Sequence, residues 1–186
     1  MKFFIHLNFF KNFGLDTGNK IEHLIKLLIK KKGFSENITF IELFQKTGKN
    51  LVITGTCVNK QKTDYFNYLD TPLMCVYKAI RISMSIPIIY NKVDYNSLIY
   101  VDGGVSNNYP IDYFEKDLDK TLGFLIMSES KNDIANIEGI DSFMYYNLMI
   151  LSSSIDYNKY LLFNKNTVRL SCSYSNLKFN LTKEEK

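Results

Sequence analysis

Apolar residues recur at helical spacing from Asn19 to Lys32. These positions are Ile21, Leu24, Ile25, Leu28 and Ile29. Such a pattern predicts an amphipathic helix with one apolar face. Thr17 or Asn19 is a candidate N-cap, and Gly33 follows the expected end of the helix, where glycine is favoured.

Other segments carry helix signals of a different kind. Three further helices are predicted, over Ile38 to Phe44, over Pro72 to Ser83 and within Asp141 to Phe163. Thr39 and Glu42 have the spacing of a capping box, in which each side chain bonds a free backbone N–H of the first turn. Asp70 or Thr71 is expected to cap the helix that begins with Pro72, because proline fits the first turn.

Short β-branched and apolar runs alternate with these helices. They predict strands at Leu51–Thr56, Ser97–Val101, Phe124–Met127 and Thr167–Ser171. Alternation of strands and helices favours an α/β fold, with a mostly parallel sheet flanked by helices. No shift of composition marks a boundary, so one domain over residues 1–186 is expected.

Composition and charge narrow the class of protein. With 46% hydrophobic and 23% charged residues, the 186-residue chain is typical of a folded globular protein. The net charge of +4 is dispersed apart from Lys30–Lys32, which either complements a helix dipole or contacts anionic lipid headgroups. Nucleic acid binding is not expected, because no clustered basic face is visible.

Neither metal-ligand spacing nor a nucleotide loop is present, so no cofactor is predicted. Three scattered cysteines and no membrane-spanning run favour a cytoplasmic location, at most peripheral to membranes.

The candidate chemistry lies at Asp102-Gly103-Gly104, directly after a predicted strand. At the carboxyl end of a parallel strand a side chain faces the crevice where ligands bind. A carboxylate held there can act as a general base if a nucleophile lies within hydrogen-bond reach. The two glycines allow a sharp turn and a close approach of the backbone. Taken alone, the same three residues are also typical of a surface turn.

The residues around this motif carry a family resemblance. The runs Ala79–Pro87, Val93–Tyr95 and Leu98–Pro110 closely resemble the second half of the patatin-like phospholipase domain. Gly14–Gly18, Ile38–Phe40 and Leu51–Thr56 are similar to the same domain in the same order. The resemblance covers residues 14–127 and is closest to the patatin-like proteins of large DNA viruses.

The resemblance implies a lipid acyl hydrolase that acts on membrane glycerophospholipids. In that family a serine in a Gly-x-Ser-x-Gly elbow is the nucleophile, and an aspartate takes its proton. A glycine-rich loop supplies N–H groups to the oxyanion. The aspartate carries over to Asp102, as the general base, and the motif glycines carry over to Gly103 and Gly104. The resemblance implies no metal or organic cofactor.

The nucleophile does not carry over, because no Gly-x-Ser-x-Gly occurs among the 186 residues. Ser83 and Ser85 lie in a segment that packs near the family's site without serving as nucleophile. Ser106 is expected to be a turn residue. His6 and His23 are isolated and are expected to be structural or solvated.

Both ends of the sequence are expected to be incomplete. Only thirteen residues precede Gly14, where the family's elbow and oxyanion loop would stand, and a capping box at Thr182–Glu185 ends without its helix. Two hypotheses follow. The chain supplies Asp102 to a hydrolase whose serine comes from a complementing polypeptide, or it is an inactive remnant that binds lipid or protein or has no function. If the source is viral, the expected location is the host cytoplasm.

Overall fold

A computed structural model describes residues 13–128 and 137–172 of the chain. The chain divides into two compact units, Met1–Asn108 and Tyr109–Lys186. The prediction of a single domain over 1–186 stays a prediction. His6 and the capping box predicted at Thr182 lie outside the described residues.

Both units contain helices and strands, which confirms the predicted α/β class. The first unit contains, in chain order, β1 (Gly14–Asp16), α1 (Asn19–Lys31), α2 (Phe40–Thr47), β2 (Ile53–Cys57), β3 (Lys62–Phe66), α3 (Val76–Ser83), β4 (Ile88–Tyr90), β5 (Val93–Tyr95), β6 (Leu98–Asp102) and α4 (Gly104–Asn107). The second unit contains a 3₁₀ segment (Pro110–Lys120), β7 (Gly123–Ser128), α5 (Gly139–Phe163), a 3₁₀ turn (Asn164–Asn166) and β8 (Thr167–Cys172). No described helix is long and apolar enough to cross a membrane.

The largest sheet differs from the expected parallel arrangement. Its four strands have the order β3-β2-β6-β5, and every neighbouring pair is antiparallel. The reason lies in the connections, because parallel neighbours need a long crossover whereas antiparallel neighbours can share a tight turn. A two-residue turn, Asn96 and Ser97 with φ of 49° and 60°, joins β5 to β6. Among the described strands, parallel pairing is confined to β1 with β4 and β7 with β8.

Helix α3 covers one face of this sheet at β2 and β6, and α1 packs on α3. Ala79 and Ile82 of α3 are fully buried. Gly55 of β2 allows this close packing, because a Cβ there would lie 2.6 Å from the Ile82 side chain. The buried core around this contact also includes Ile38, Phe40, Cys57, Phe66, Met74, Val76, Val93 and Tyr100.

The helix predictions are confirmed in position and corrected at their starts. The capping box at Thr39 and Glu42 forms as expected. Helix α1, however, is capped by Gly18 and not by Thr17 or Asn19. Gly18 sits against the Arg81 guanidinium, where no side chain would fit.

The predicted cap at Asp70 or Thr71 is also wrong, because α3 begins at Val76 instead of Pro72. Both side chains are engaged elsewhere, on Asn67. Asp70 accepts a hydrogen bond from the Asn67 amide at 2.6 Å, and the Thr71 hydroxyl donates to the Asn67 carbonyl at 3.1 Å. They hold a turn that precedes the helix.

The second unit is built on the parallel pair β7 and β8, with α5 in the connection between them. Leu125 of β7 is buried with Tyr109 and Ile111. Alternate positions of the same strands form an apolar face that is exposed, and its residues are Phe124, Ile126, Val168 and Leu170.

Candidate active site

Asp102 is the last residue of β6, and its main chain is fixed on both sides. It pairs with Gly55 of β2. Its N–H donates to the carbonyl of Ser85 at 2.9 Å, and its carbonyl accepts from the Thr56 hydroxyl at 2.8 Å. The position of the carboxylate therefore depends on three separate segments of the chain. It lies at the end of an antiparallel strand, and not at the parallel edge from which its role was predicted.

The Asp102 carboxylate is partly buried. Burial raises its pKa from 3.8 to about 6, and the N–H of Gly104, which donates to Oδ1 at 2.7 Å, acts in the opposite direction. A carboxylate with this pKa is mostly ionised at neutral pH yet holds a proton more readily than an exposed aspartate. These are the properties of a general base that works near pH 7.

The two motif glycines are needed for space. Gly103 has ordinary helical dihedral angles, φ −61° and ψ −29°, so conformational freedom is not the reason for glycine there. A Cβ on Gly103 would lie 2.7 Å from the carbonyl oxygen of Thr54. A Cβ on Gly104 would lie 2.9 Å from Oδ1 of Asp102 and from Oδ1 of Asn108. The first glycine lets β6 approach β2, and the second leaves room for the carboxylate.

A chain of hydroxyl groups lies behind Asp102. Ser106 Oγ is 2.8 Å from Thr56 Oγ1 and 2.7 Å from Thr63 Oγ1. Because Thr56 donates to the Asp102 carbonyl, Ser106 donates to Thr56 and accepts from Thr63. Ser106 therefore ties α4 to β2 and β3. Thr56 lies in the predicted strand Leu51–Thr56, but the sequence alone did not indicate either threonine as a residue of the site.

Besides Ser106, Ser83 and Ser85 are the serines that the sequence predicts near the site. Ser85 is fully buried, accepts from Arg81 Nη1 at 2.5 Å and donates to the Arg81 carbonyl at 2.7 Å. A hydroxyl enclosed in this way cannot reach an ester. Arg81, itself only 4% exposed, also donates to the Thr17 carbonyl at 2.8 Å. It supports Asp102 through Ser85, a link that the sequence alone did not indicate.

Ser83 ends α3 and is partly exposed. Within residues 13–128 and 137–172, no serine hydroxyl is hydrogen-bonded to the Asp102 carboxylate. His23 is exposed on α1. No group of three His, Cys, Asp or Glu side chains in this part of the chain could hold a metal ion. The described residues thus provide a positioned carboxylate with no serine hydroxyl bonded to it.

The sequence is similar to a protein family and to two viral proteins. A family model for patatin-like phospholipase matches residues 1–115. An uncharacterized protein of Acanthamoeba polyphaga mimivirus is 31% identical over 194 residues, which cover 99% of this chain and 64% of that protein. A protein of Invertebrate iridescent virus 6, described as a probable lipid hydrolase, is 40% identical over 99 residues, which cover 53% of this chain and 34% of that protein. The chain thus spans less than two thirds of either relative.

Proposed function

The chain belongs to the patatin-like phospholipase family, and on that premise we propose that it takes part in the hydrolysis of acyl esters of glycerophospholipids, with Asp102 as the general base. The partner of Asp102 in this proposal is a serine from outside these 186 residues, which a complementing polypeptide can supply. The similar protein of Invertebrate iridescent virus 6, described as a probable lipid hydrolase, supports a lipid ester as substrate.

One observation carries the proposal, namely the placement of the Asp102 carboxylate. Hydrogen bonds from Gly104 and Thr56 fix the residue, and burial brings its pKa to about 6. A carboxylate that served only to end a strand would gain nothing from partial burial, because desolvation of its charge lowers the stability of the fold. A partly buried carboxylate that has a raised pKa and a fixed position is typical of a functional site.

In the proposed reaction Asp102 accepts the proton of the serine hydroxyl as the serine oxygen attacks the ester carbonyl. The tetrahedral intermediate then collapses, the alcohol leaves, and protonated Asp102 returns the proton to the leaving oxygen. A water molecule hydrolyses the acyl-serine by the same route, with Asp102 as base and then as acid. The fatty acid is released, and the serine and Asp102 return to their initial protonation states.

The serine is assigned to a segment outside these 186 residues for two reasons. The 186 residues contain no Gly-x-Ser-x-Gly segment. Ser85 and Ser106, near Asp102 in the fold, have their hydroxyls bonded to Arg81 and to two threonines. Either hydroxyl would have to break these bonds before it could act as a nucleophile.

The test is hydrolysis of a phospholipid and of a chromogenic short-chain ester. The chain is assayed alone and after co-expression with the product of the adjacent reading frame, each time with Asp102→Asn. Asp94→Asn, with 65% of the side chain exposed, is the matched control. We expect hydrolysis only when the second polypeptide is present. This activity should be lost in Asp102→Asn and kept in Asp94→Asn.

The other outcomes overturn the proposal in whole or in part. Hydrolysis by the chain alone that depends on Asp102 would place the serine within this chain. Hydrolysis that persists in Asp102→Asn would remove Asp102 from the reaction. No hydrolysis in any preparation would leave the chain as an inactive binding module.

A further inference from the structure

Helix α1 and the residue after it, Lys32, carry the charge surplus of the whole protein. Residues 19–32 contain five lysines and one glutamate, a surplus of four, and the complete chain with 23 basic and 19 acidic residues has the same surplus. Lys26 faces the packed side, where it bonds Glu22 at 2.9 Å and lies 4.0 Å from the centre of the Tyr77 ring. The other four are exposed, namely Lys20, Lys30, Lys31 and Lys32.

Three leucines of α1 are exposed beside these lysines. The exposed fractions are 54% for Leu24, 47% for Leu27 and 55% for Leu28. Spacings of three and four residues place them on one flank of the helix. They border the part of the apolar face that packs on the protein, which is centred on the buried Ile25. Helix α1 thus has an apolar flank that stays largely exposed beside the core.

Stability of the helix does not account for this surface. Lys30, Lys31 and Lys32 complement the helix dipole, but Lys20 lies in the first turn, where a cation is unfavourable. Exposed leucines stabilise a folded protein little, because their apolar area stays in water. The combination of exposed leucines with lysines is, however, typical of helices that lie in a membrane interface.

An apolar cleft adjoins the same helix. It has a volume of about 260 Å³ and is lined by Leu28, Phe34, Ile38, Leu43 and Val76, with Lys32 among them. Pockets for drug-sized ligands span about 300–1,000 Å³, so this cleft has room for part of an acyl chain rather than for a whole lipid. Its lysine could contact the phosphate of the same molecule.

We propose that α1 and this cleft form the surface through which the protein docks on bilayers that contain anionic phospholipids. Leu24, Leu27 and Leu28 enter the interface, and the four exposed lysines contact the headgroups. The choice of a bilayer as partner rests on the proposed function, because a hydrolase of lipid esters must reach a membrane. The docking surface is nevertheless distinct from the residues around Asp102.

The test is co-sedimentation of the full chain with vesicles of phosphatidylcholine, prepared with and without phosphatidylserine. We expect strong binding only to the anionic vesicles. Since each lysine near such a surface contributes a factor of about five, replacing Lys30, Lys31 and Lys32 with Gln lowers the partition coefficient by about 100-fold. The matched control changes three exposed lysines of the second unit to Gln, at Lys116, Lys120 and Lys165, and leaves binding within a few-fold.

The leucines are tested by Leu24→Gln combined with Leu28→Gln. This pair lowers binding by about 25-fold, because half-burial of each leucine contributes a factor of about five. The control pair is Leu69→Gln with Leu73→Gln, since those leucines are 67% and 80% exposed. Circular dichroism checks that every variant is folded.

Several results would overturn the docking surface. Equal binding of the lysine variant and its control, or of the leucine variant and its control, would show that α1 is not the contact. Self-association of the chain without vesicles that the leucine pair abolishes would assign the face to a second copy. Asp102→Asn is expected to bind vesicles as the unmodified chain does, so a failure of binding is separate from a failure of hydrolysis.

Discussion

Asp102→Asn is expected to stabilise the protein at pH 7.5 and to have little effect at pH 4. In the folded state burial raises the pKa of Asp102 from 3.8 to about 6. Between pH 3.8 and about pH 6 a larger fraction of the Asp102 carboxyl is protonated in the folded state than in the unfolded state. Stability therefore falls as the pH rises through this window, and the loss is complete above the folded pKa. Asparagine carries no charge to desolvate and keeps an oxygen that can accept from the Gly104 N–H.

The size of the effect follows from the same two values. At about 1.4 kcal/mol for each pH unit, the difference corresponds to a gain of about 3 kcal/mol in the free energy of unfolding at pH 7.5. At pH 4 the unfolded carboxyl is itself largely protonated, and linkage leaves a gain of about 0.5 kcal/mol.

Urea unfolding at both pH values measures this gain. Asp119→Asn, at an exposed aspartate in the second unit, is the control and should change the free energy of unfolding by less than about 0.5 kcal/mol at either pH. The reasoning is refuted if Asp102→Asn is no more stable than the unmodified protein at pH 7.5. It is refuted equally if the gain at pH 4 is as large as the gain at pH 7.5.

Four further substitutions test the packing, a helix cap and a turn. Gly103→Ala forces a methyl group against backbone atoms and should lower the free energy of unfolding, measured in urea, by about 3 kcal/mol. Gly48→Ala is the control, because Gly48 has φ 67° but lies in open space, and it should lower the free energy of unfolding by about 1 kcal/mol. Thr39→Ala removes the capping box and should lower the free energy of unfolding by about 1 kcal/mol; an unchanged midpoint would exclude a role for the cap. Ser97→Gly creates the pair Asn-Gly, which the positive φ angles of this turn favour. The free energy of unfolding should therefore rise by about 1 kcal/mol, and a fall in it would contradict the assigned turn.

The sequence predicts elements well where a local rule decides the structure. The apolar spacing of α1 and the pair Thr39 and Glu42 are such cases, and both are confirmed. The strand that ends at Asp102 is confirmed as well. Antiparallel pairing was missed because β3 and β5 give weak signals. Strand β5 has three residues, and its turn, Asn96-Ser97, lacks the glycine that usually marks a tight hairpin.

The site itself could be predicted only in part. Asp102, Gly103 and Gly104 are adjacent in sequence, so their motif is visible without a structure. The contacts that hold Asp102 come from Ser85 and Thr56, seventeen and forty-six residues away. Such contacts depend on how strands pair across the sheet, and no short-range pattern encodes that pairing. The role of Arg81 in holding Ser85 was hidden for the same reason.

The pairing of β2 with β6 has a consequence for the order in which the protein folds. The hairpins β2–β3 and β5–β6 join neighbouring segments, so each closes a short loop. Gly55 and Asp102 meet only when a loop of more than forty residues has closed, and contacts of such long range form more slowly. During synthesis the β2–β3 hairpin can form while β6 is still inside the ribosome. The Asp102 site is therefore one of the last features of its unit to appear, and a folding intermediate with both hairpins formed would still lack a fixed Asp102 carboxylate.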